Sequence, residues 1–225
     1  MRSDRASLDA AIEAIDHANA ADPNLIGGRP RALVQGERAT QWLDRLDPQA
    51  SEALVLAARG HHVRRWTSAR SSYPDGRAGY LRWRRDLKAV HAETLGELLP
   101  ACGIGADVVE RAQQLVAKRG DQRAPEAQAF EDVVCLVFLD TQFEALIDRL
   151  DEQKTIDVLR KTLPKMSAAA IALAGSAELH PRGRELLGRA AAPAGARLWR
   201  PAQEHLLPGG GPRGLARPSH RRSRQ

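Results

Sequence analysis

Residues 80 to 99 read "YLRWRRDLKAVHAETLGELL". Placing successive residues 100° apart gathers Tyr80, Trp83, Leu87, Val90, Thr94, Leu95 and Leu98 into one stripe. His91 falls inside it, so the periodicity predicts an imidazole turned into the core. Spacings of three and four recur along the 225 residues, whereas the period-2 alternation of β-branched residues that marks strands is nearly absent. The fold class read from this pattern is all-α.

Working outward, a first helix is predicted from a cap at Ser7 to the turn at residues 21 to 24, where Pro23 cannot be continued through cheaply. A second begins near Pro30 and carries Leu33, Trp42, Leu43 and Leu46. Asp47 then caps and Pro48 takes the first position of a third helix, which leads through "SEALVLAARGHHVRRW" at 51 to 66. "TSARSSYPDGRAGY" at 67 to 80 reads as an ordered loop built on Pro74-Asp75-Gly76. The helix that opened this section stops at Pro100. Further helices are expected at about 106 to 118, 125 to 149, 151 to 166 and, weakly, 183 to 191, with no internal repeat.

The formal charge is +6, from 34 basic and 28 acidic side chains. It resides in residues 191 to 225, which hold seven Arg and no acid but Glu204. The body, residues 1 to 190, is balanced, which argues against nucleic acid as a partner of the folded part. The tail also holds five Pro and five Gly and reads as disordered. One globular helical domain of 1 to 190, a multi-helix bundle, followed by a basic tail is therefore expected. Cys102 and Cys135 lack the close spacing of a zinc knuckle or redox pair and read as small core residues. No segment approaches the roughly 20 apolar residues of a membrane span, and the N-terminus lacks a secretory pattern. A cytoplasmic location follows; oligomeric state is left open.

The candidate chemistry lies in inward polar residues. On a continuous third helix His61 aligns with Leu54 and Ala58, and His62 with Val55 and Trp66. Asp132 shares a face with Leu136, Leu139, Phe143 and Leu146, where a lone carboxylate is costly to desolvate. Imidazoles and a carboxylate turned inward from three helices can hold a hard or borderline divalent cation, because a bundle joins ligands distant in sequence. The candidate metal ligands are His61, His62, His91 and Asp132. The alternative is a buried network, Asp132 meeting Arg65 or Arg84 and each histidine a backbone carbonyl. Arg65, Arg70, Tyr73, Arg77, Arg84 and Lys88 cluster around the loop and suit a small anionic substrate, since guanidinium groups grip phosphate or carboxylate through two bonds. Glu93 and Glu131 are the nearby acids available for catalysis.

The order of these elements resembles the His-Asp phosphohydrolases. That likeness places His61 in the His position of the paired motif, His62 where Asp belongs and Asp132 as the last Asp, while "VQGERATQWL" at 34 to 43 holds Glu37 and Arg38 where the first His is expected. A longer resemblance covers about residues 8 to 172. "AIDHANAADPN", "LAARGHHVRRW", "RSSYPDGRAGYLRWRRDLKAVHAE", "EDVVCLVFL" and "LRKTLPKMS" resemble the family called domain of unknown function 4202, and that likeness favours His62 over His61. Lys165-Met166-Ser167 shares three letters with the KMSKS motif of class I synthetases, but no HIGH motif or nucleotide-binding βαβ unit accompanies it, which argues against aminoacylation. Two functions are expected from these residues. One is a metal-dependent hydrolase of a small phosphorylated or anionic substrate; the other is a non-catalytic helical module that binds a ligand or partner through a buried polar network.

Overall fold

The structure, a computed structural model, describes residues 5 to 175 and 181 to 195. The basic tail from residue 196 onward lies outside the described residues. Among the described residues the chain is all-α, as the periodicity predicts, apart from one two-stranded hairpin. α1 (Arg5–Asn19) buries Ala11 and Ile15. Strands β1 (Leu25–Ile26) and β2 (Arg29–Pro30) follow, with Leu25 opposite Pro30. Gly27 and Gly28 both have positive φ, 56° and 79°, the backbone that a two-residue hairpin turn demands and that glycine adopts without a Cβ clash. Periodicity cannot see so short a hairpin.

α2 (Arg31–Leu46) enters from the hairpin, with the buried Asp22 carboxylate accepting from the Ala32 N–H at 3.0 Å. Its inner face carries Gln35, Gly36, Ala39, Trp42 and Leu43. A Cβ on Gly36 would lie 2.7 Å from the Arg59 carbonyl oxygen, so glycine lets α2 approach α3. α3 (Glu52–Arg59) is shorter than expected at both ends. Its N-cap is Ser51, whose hydroxyl accepts from the Leu54 N–H, not Asp47. Asp47 instead ends α2 and accepts from the Gln49 N–H. Gly60 closes α3, a common helix stop, and residues 61 to 72 run as turns with 3-10 segments at Arg65–Thr67 and Arg70–Ser72.

α4 (Gly76–Ala101) is the longest of the described helices and absorbs Pro100 in its last turn instead of stopping before it. Leu87, His91, Thr94 and Leu95 are buried as expected, whereas Trp83, Val90 and Leu98 are half-buried and Leu99, outside the expected stripe, is buried. Tyr80, however, is 45% exposed, because the first turns of α4 run out beyond the core. α5 (Ala106–Ala117) packs on α4 and α3. The expected long sixth helix is divided at Gln142 (φ −130°) into α6 (Pro125–Thr141) and α7 (Phe143–Arg149), and the break lets Phe143 reach the core beside Phe138. α8 (Glu152–Thr162) gives way at Pro164 to a 3-10 turn. A short α9 (Ala168–Ala174), absent from the sequence reading, follows, and α10 (Pro181–Gly195) runs a few residues past the expected domain end.

One core joins the ten described helices α1 to α10, α7 through Phe143. Across it, Arg59 on α3 grips Asp16 on α1 with two donors, Nε to Oδ1 at 2.7 Å, and reaches Thr40 on α2. Cys135 is buried within α6, and burial pushes its thiol up to about 12; Cys102 is half-buried at the end of α4.

Candidate functional site

Because α3 stops at Gly60, His61 and His62 sit in a tight turn instead of 100° apart on a helix. The turn faces one side of α4, on which Arg84, Leu87, Lys88 and His91 follow at i, i+3, i+4 and i+7. Between them is a cavity of about 50 Å³, closed by Val116 and Lys118 from the end of α5 and by Phe130 and Val134 on α6. The His61 and His62 rings stand 4.1 Å apart between centroids, and those of His62 and His91 5.9 Å. Three candidate imidazoles, from segments 30 residues apart, are thus brought together.

Hydrogen bonding fixes their tautomers. His61 Nδ1 is 2.8 Å from the Ala58 carbonyl oxygen and His91 Nδ1 is 2.7 Å from that of Val63. A carbonyl only accepts, so each Nδ1 carries the proton and each Nε2 presents a lone pair. The His62 Nδ1 lies 2.7 Å from Gln35 Oε1. That amide is itself oriented, since Gln35 Nε2 donates to Thr141 Oγ1 at 3.2 Å while the Thr141 hydroxyl donates to the Val137 carbonyl at 2.8 Å. A relay from α6 through α2 therefore sets the third tautomer. The Nε2 atoms of His61 and His91 are buried and have no hydrogen-bond partner among the described residues.

Electrostatics agree with neutral rings. Burial pushes His61 down to about 4 and His91 to about 3, against the opposing effect of their backbone hydrogen bonds, and the Arg65 charge adds to the depression. His62 is held well below its ordinary value, by desolvation first and then by the charges around it. Arg65 is lowered to about 10 by burial and by Arg84, and Lys88 is lowered by burial and by Lys118. Arg65 is held in place by the Trp83 ring, 5.0 Å from guanidinium carbon to centroid, and the Trp83 indole donates to the Ser68 carbonyl at 2.9 Å. Among the described residues Arg65, Arg84 and Lys88 form no ion pair, and no Asp or Glu lines the cavity.

The remaining sequence candidates lie elsewhere. Phe130 and Val134 turn toward the cavity, and Asp132, two residues from each, lies about 200° round α6 from both. Its carboxylate accepts from the Ser167 N–H at 2.7 Å and from Gln128 Nε2 at 3.0 Å, so it ties α6 to the start of α9. Neither Arg65 nor Arg84 partners it, and the expected four-ligand set with Asp132 is not assembled. No group of three or more His, Cys, Asp or Glu side chains is gathered to hold a metal ion among the described residues. Ser167, within the Lys-Met-Ser triplet, is the N-cap of α9. Arg70 donates to the Tyr73 carbonyl within its own loop at 3.0 Å. Tyr73 lines a separate groove with Thr67, Pro74 and Arg82, and Arg77 is exposed. Glu93 is exposed beside Glu110 and Gln113, whereas Glu131 pairs with the cavity residue Lys118. Of the substrate-binding candidates, Arg65, Arg84 and Lys88 reach the cavity; Arg70, Tyr73 and Arg77 do not line it.

Sequence reasoning missed Gln35 and Lys118. Gln35 lies on the inner face of α2, at a position where helical spacing predicts an apolar residue, and that mismatch was its signal. Lys118 had none, since it lies past the end of α5 in a left-handed conformation with φ 54°.

No helix among the described residues is long and apolar enough to cross a membrane. No curated protein and no solved structure matches the chain. The family model described as Domain of unknown function (DUF4202) matches residues 9–187, which takes in every residue that lines the cavity, and the chain belongs to that family.

Proposed function

We propose that the protein is a metal-dependent hydrolase acting on a small phosphorylated or similarly anionic compound. The observation that carries this reading is the coexistence, in one cavity without a carboxylate, of imidazole lone pairs and the cations Arg65, Arg84 and Lys88, which form no ion pair among the described residues. Lone pairs call for a Lewis acid, and the cations call for an anion beside it. When bound, a divalent ion would supply a water of lowered pKa, and Arg65, Arg84 and Lys88 would neutralise charge on the phosphoryl oxygens. A volume of about 50 Å³ suits a phosphoryl group and leaves the rest of the substrate outside. On this reading the protein works on a soluble compound in the cytoplasm.

The test is release of inorganic phosphate from a panel of small phosphomonoesters, with each of several divalent ions, by the natural chain and by Arg84→Ala. Turnover that depends on the ion, with KM raised about 10-fold in the variant, supports the hydrolase. Phosphate binding without turnover under any ion overturns it. The second reading, a non-catalytic anion-binding module, is favoured by one observation: the imidazoles are not already closed around a single point.

A further inference from the structure

We infer that His61, His62 and His91, which are not gathered around one point as they stand, close through a movement of His62 into an all-imidazole site for a borderline divalent transition ion such as zinc or cobalt, with Gln35 as the positioning residue for His62 and with Asp132 outside the ligand set. The inference rests on the hydrolase reading for its purpose but not for its chemistry.

A buried polar atom without a partner is rare in native proteins and calls for a ligand. Among the described residues four such atoms occur, two on Asn19 and two that share one cavity: Nε2 of His61 and of His91, on side chains 4% and 3% exposed. Metal-bound imidazoles characteristically donate their other N–H to a carbonyl or carboxylate, which fixes tautomer and ring direction. All three rings meet that condition, two through backbone carbonyls and one through Gln35.

Rings whose nitrogens lie about 2.0–2.1 Å from a common ion stand roughly 5 Å apart between centroids. The two observed separations fall on either side of this, 4.1 Å and 5.9 Å. A movement of His62 by about 1 Å, away from His61 and toward His91, brings both near it. His62 is less deeply buried than His61 and His91, lies at a turn and is held by one amide, which permits that movement. Three nitrogen donors with no carboxylate select zinc, cobalt, nickel or copper over the hard ions magnesium and calcium, which take oxygen ligands. The surrounding cations oppose a bare dication, so the ion and an anion should bind cooperatively.

The experiment is cobalt and zinc binding to the full chain, followed by competition with a chromophoric chelator with and without inorganic phosphate. One ion per chain is expected, held about 10-fold more tightly with phosphate. Gln35→Leu should weaken binding about 10–100-fold and His91→Ala by more than that, while Asp132→Asn should leave it within about 3-fold. Should the His91 variant fail to fold, the unmutated chain still decides the matter: the cobalt form should show three paramagnetically shifted, exchangeable imidazole N–H signals. No uptake of either ion, fewer than three such signals, or loss of the ion in Asp132→Asn with His91→Ala unaffected overturns the site. Bound metal without hydrolysis upholds the site and overturns the proposed activity; ion-dependent hydrolysis that persists unchanged in His91→Ala does the reverse.

Discussion

Asp132 and His91 are almost equally hidden, at 2% and 3% exposure on α6 and α4, yet their surroundings differ in kind. Asp132 meets a backbone N–H and a glutamine, and one of its oxygens closes the join between α6 and the start of α9. His91 has one nitrogen on a backbone carbonyl and the other on nothing among the described residues. Burial alone therefore does not separate a structural polar residue from a functional one. What separates them is whether folding by itself completes the hydrogen bonds.

The largest effect expected from this contrast is an acid lability of the metal-free protein. His61 and His91 have folded values near 4 and 3, below the roughly 6.5 of an unfolded chain. Between those limits the unfolded state binds more protons, so stability is full above about pH 6.5 and falls as the pH drops, by about 1.4 kcal/mol per pH unit for each ring. Urea titrations at pH 7, 6 and 5 read this directly. A flat profile would mean that the rings are solvated, and the contrast with Asp132 would collapse.

Next in size is Asp132→Ala, which strands the Ser167 N–H and leaves Gln128 Nε2 with the Lys165 carbonyl alone. A loss of about 1–3 kcal/mol is expected by chemical denaturation, with zinc and phosphate binding retained by the folded fraction. His91→Leu inverts that pattern. Removing an unsatisfied nitrogen offsets the lost bond to Val63, so stability should move by less than about 1 kcal/mol while zinc binding disappears. The smallest effect on stability belongs to Arg84→Ala, an exposed side chain on the cavity rim: within about 0.5 kcal/mol, with phosphate affinity down about 10-fold in calorimetry.

Helical period made α4 and the inward turn of His91 legible, because one element's face depends only on its own residues. It also exposed Asp132 as buried, but the partner that satisfies Asp132 lies 35 residues further on, at the head of a helix too short to register as periodic. Reading His61 and His62 as helical overlooked Gly60. That glycine ends α3 and allows two adjacent imidazoles to line one cavity, which a helix would forbid. Gln35 is the converse, a polar residue whose meaning rests on Thr141 and His62, and no local spacing encodes such a three-way meeting. The Arg-rich loop suggested an anion site from its composition, yet only the residues on one face of α4 and the head of the 3-10 turn, with Lys118, converge there.

The two sulfurs described with the fold turn the protein into its own stopwatch. Cys102 stands half open to solvent, whereas Cys135 is sealed in α6 with a thiol that gives almost no thiolate at neutral pH. An alkylating reagent should consume one equivalent promptly and the second only as α6 comes away from its neighbours. The slow phase then times the opening of the helix that carries both Asp132 and the cavity wall.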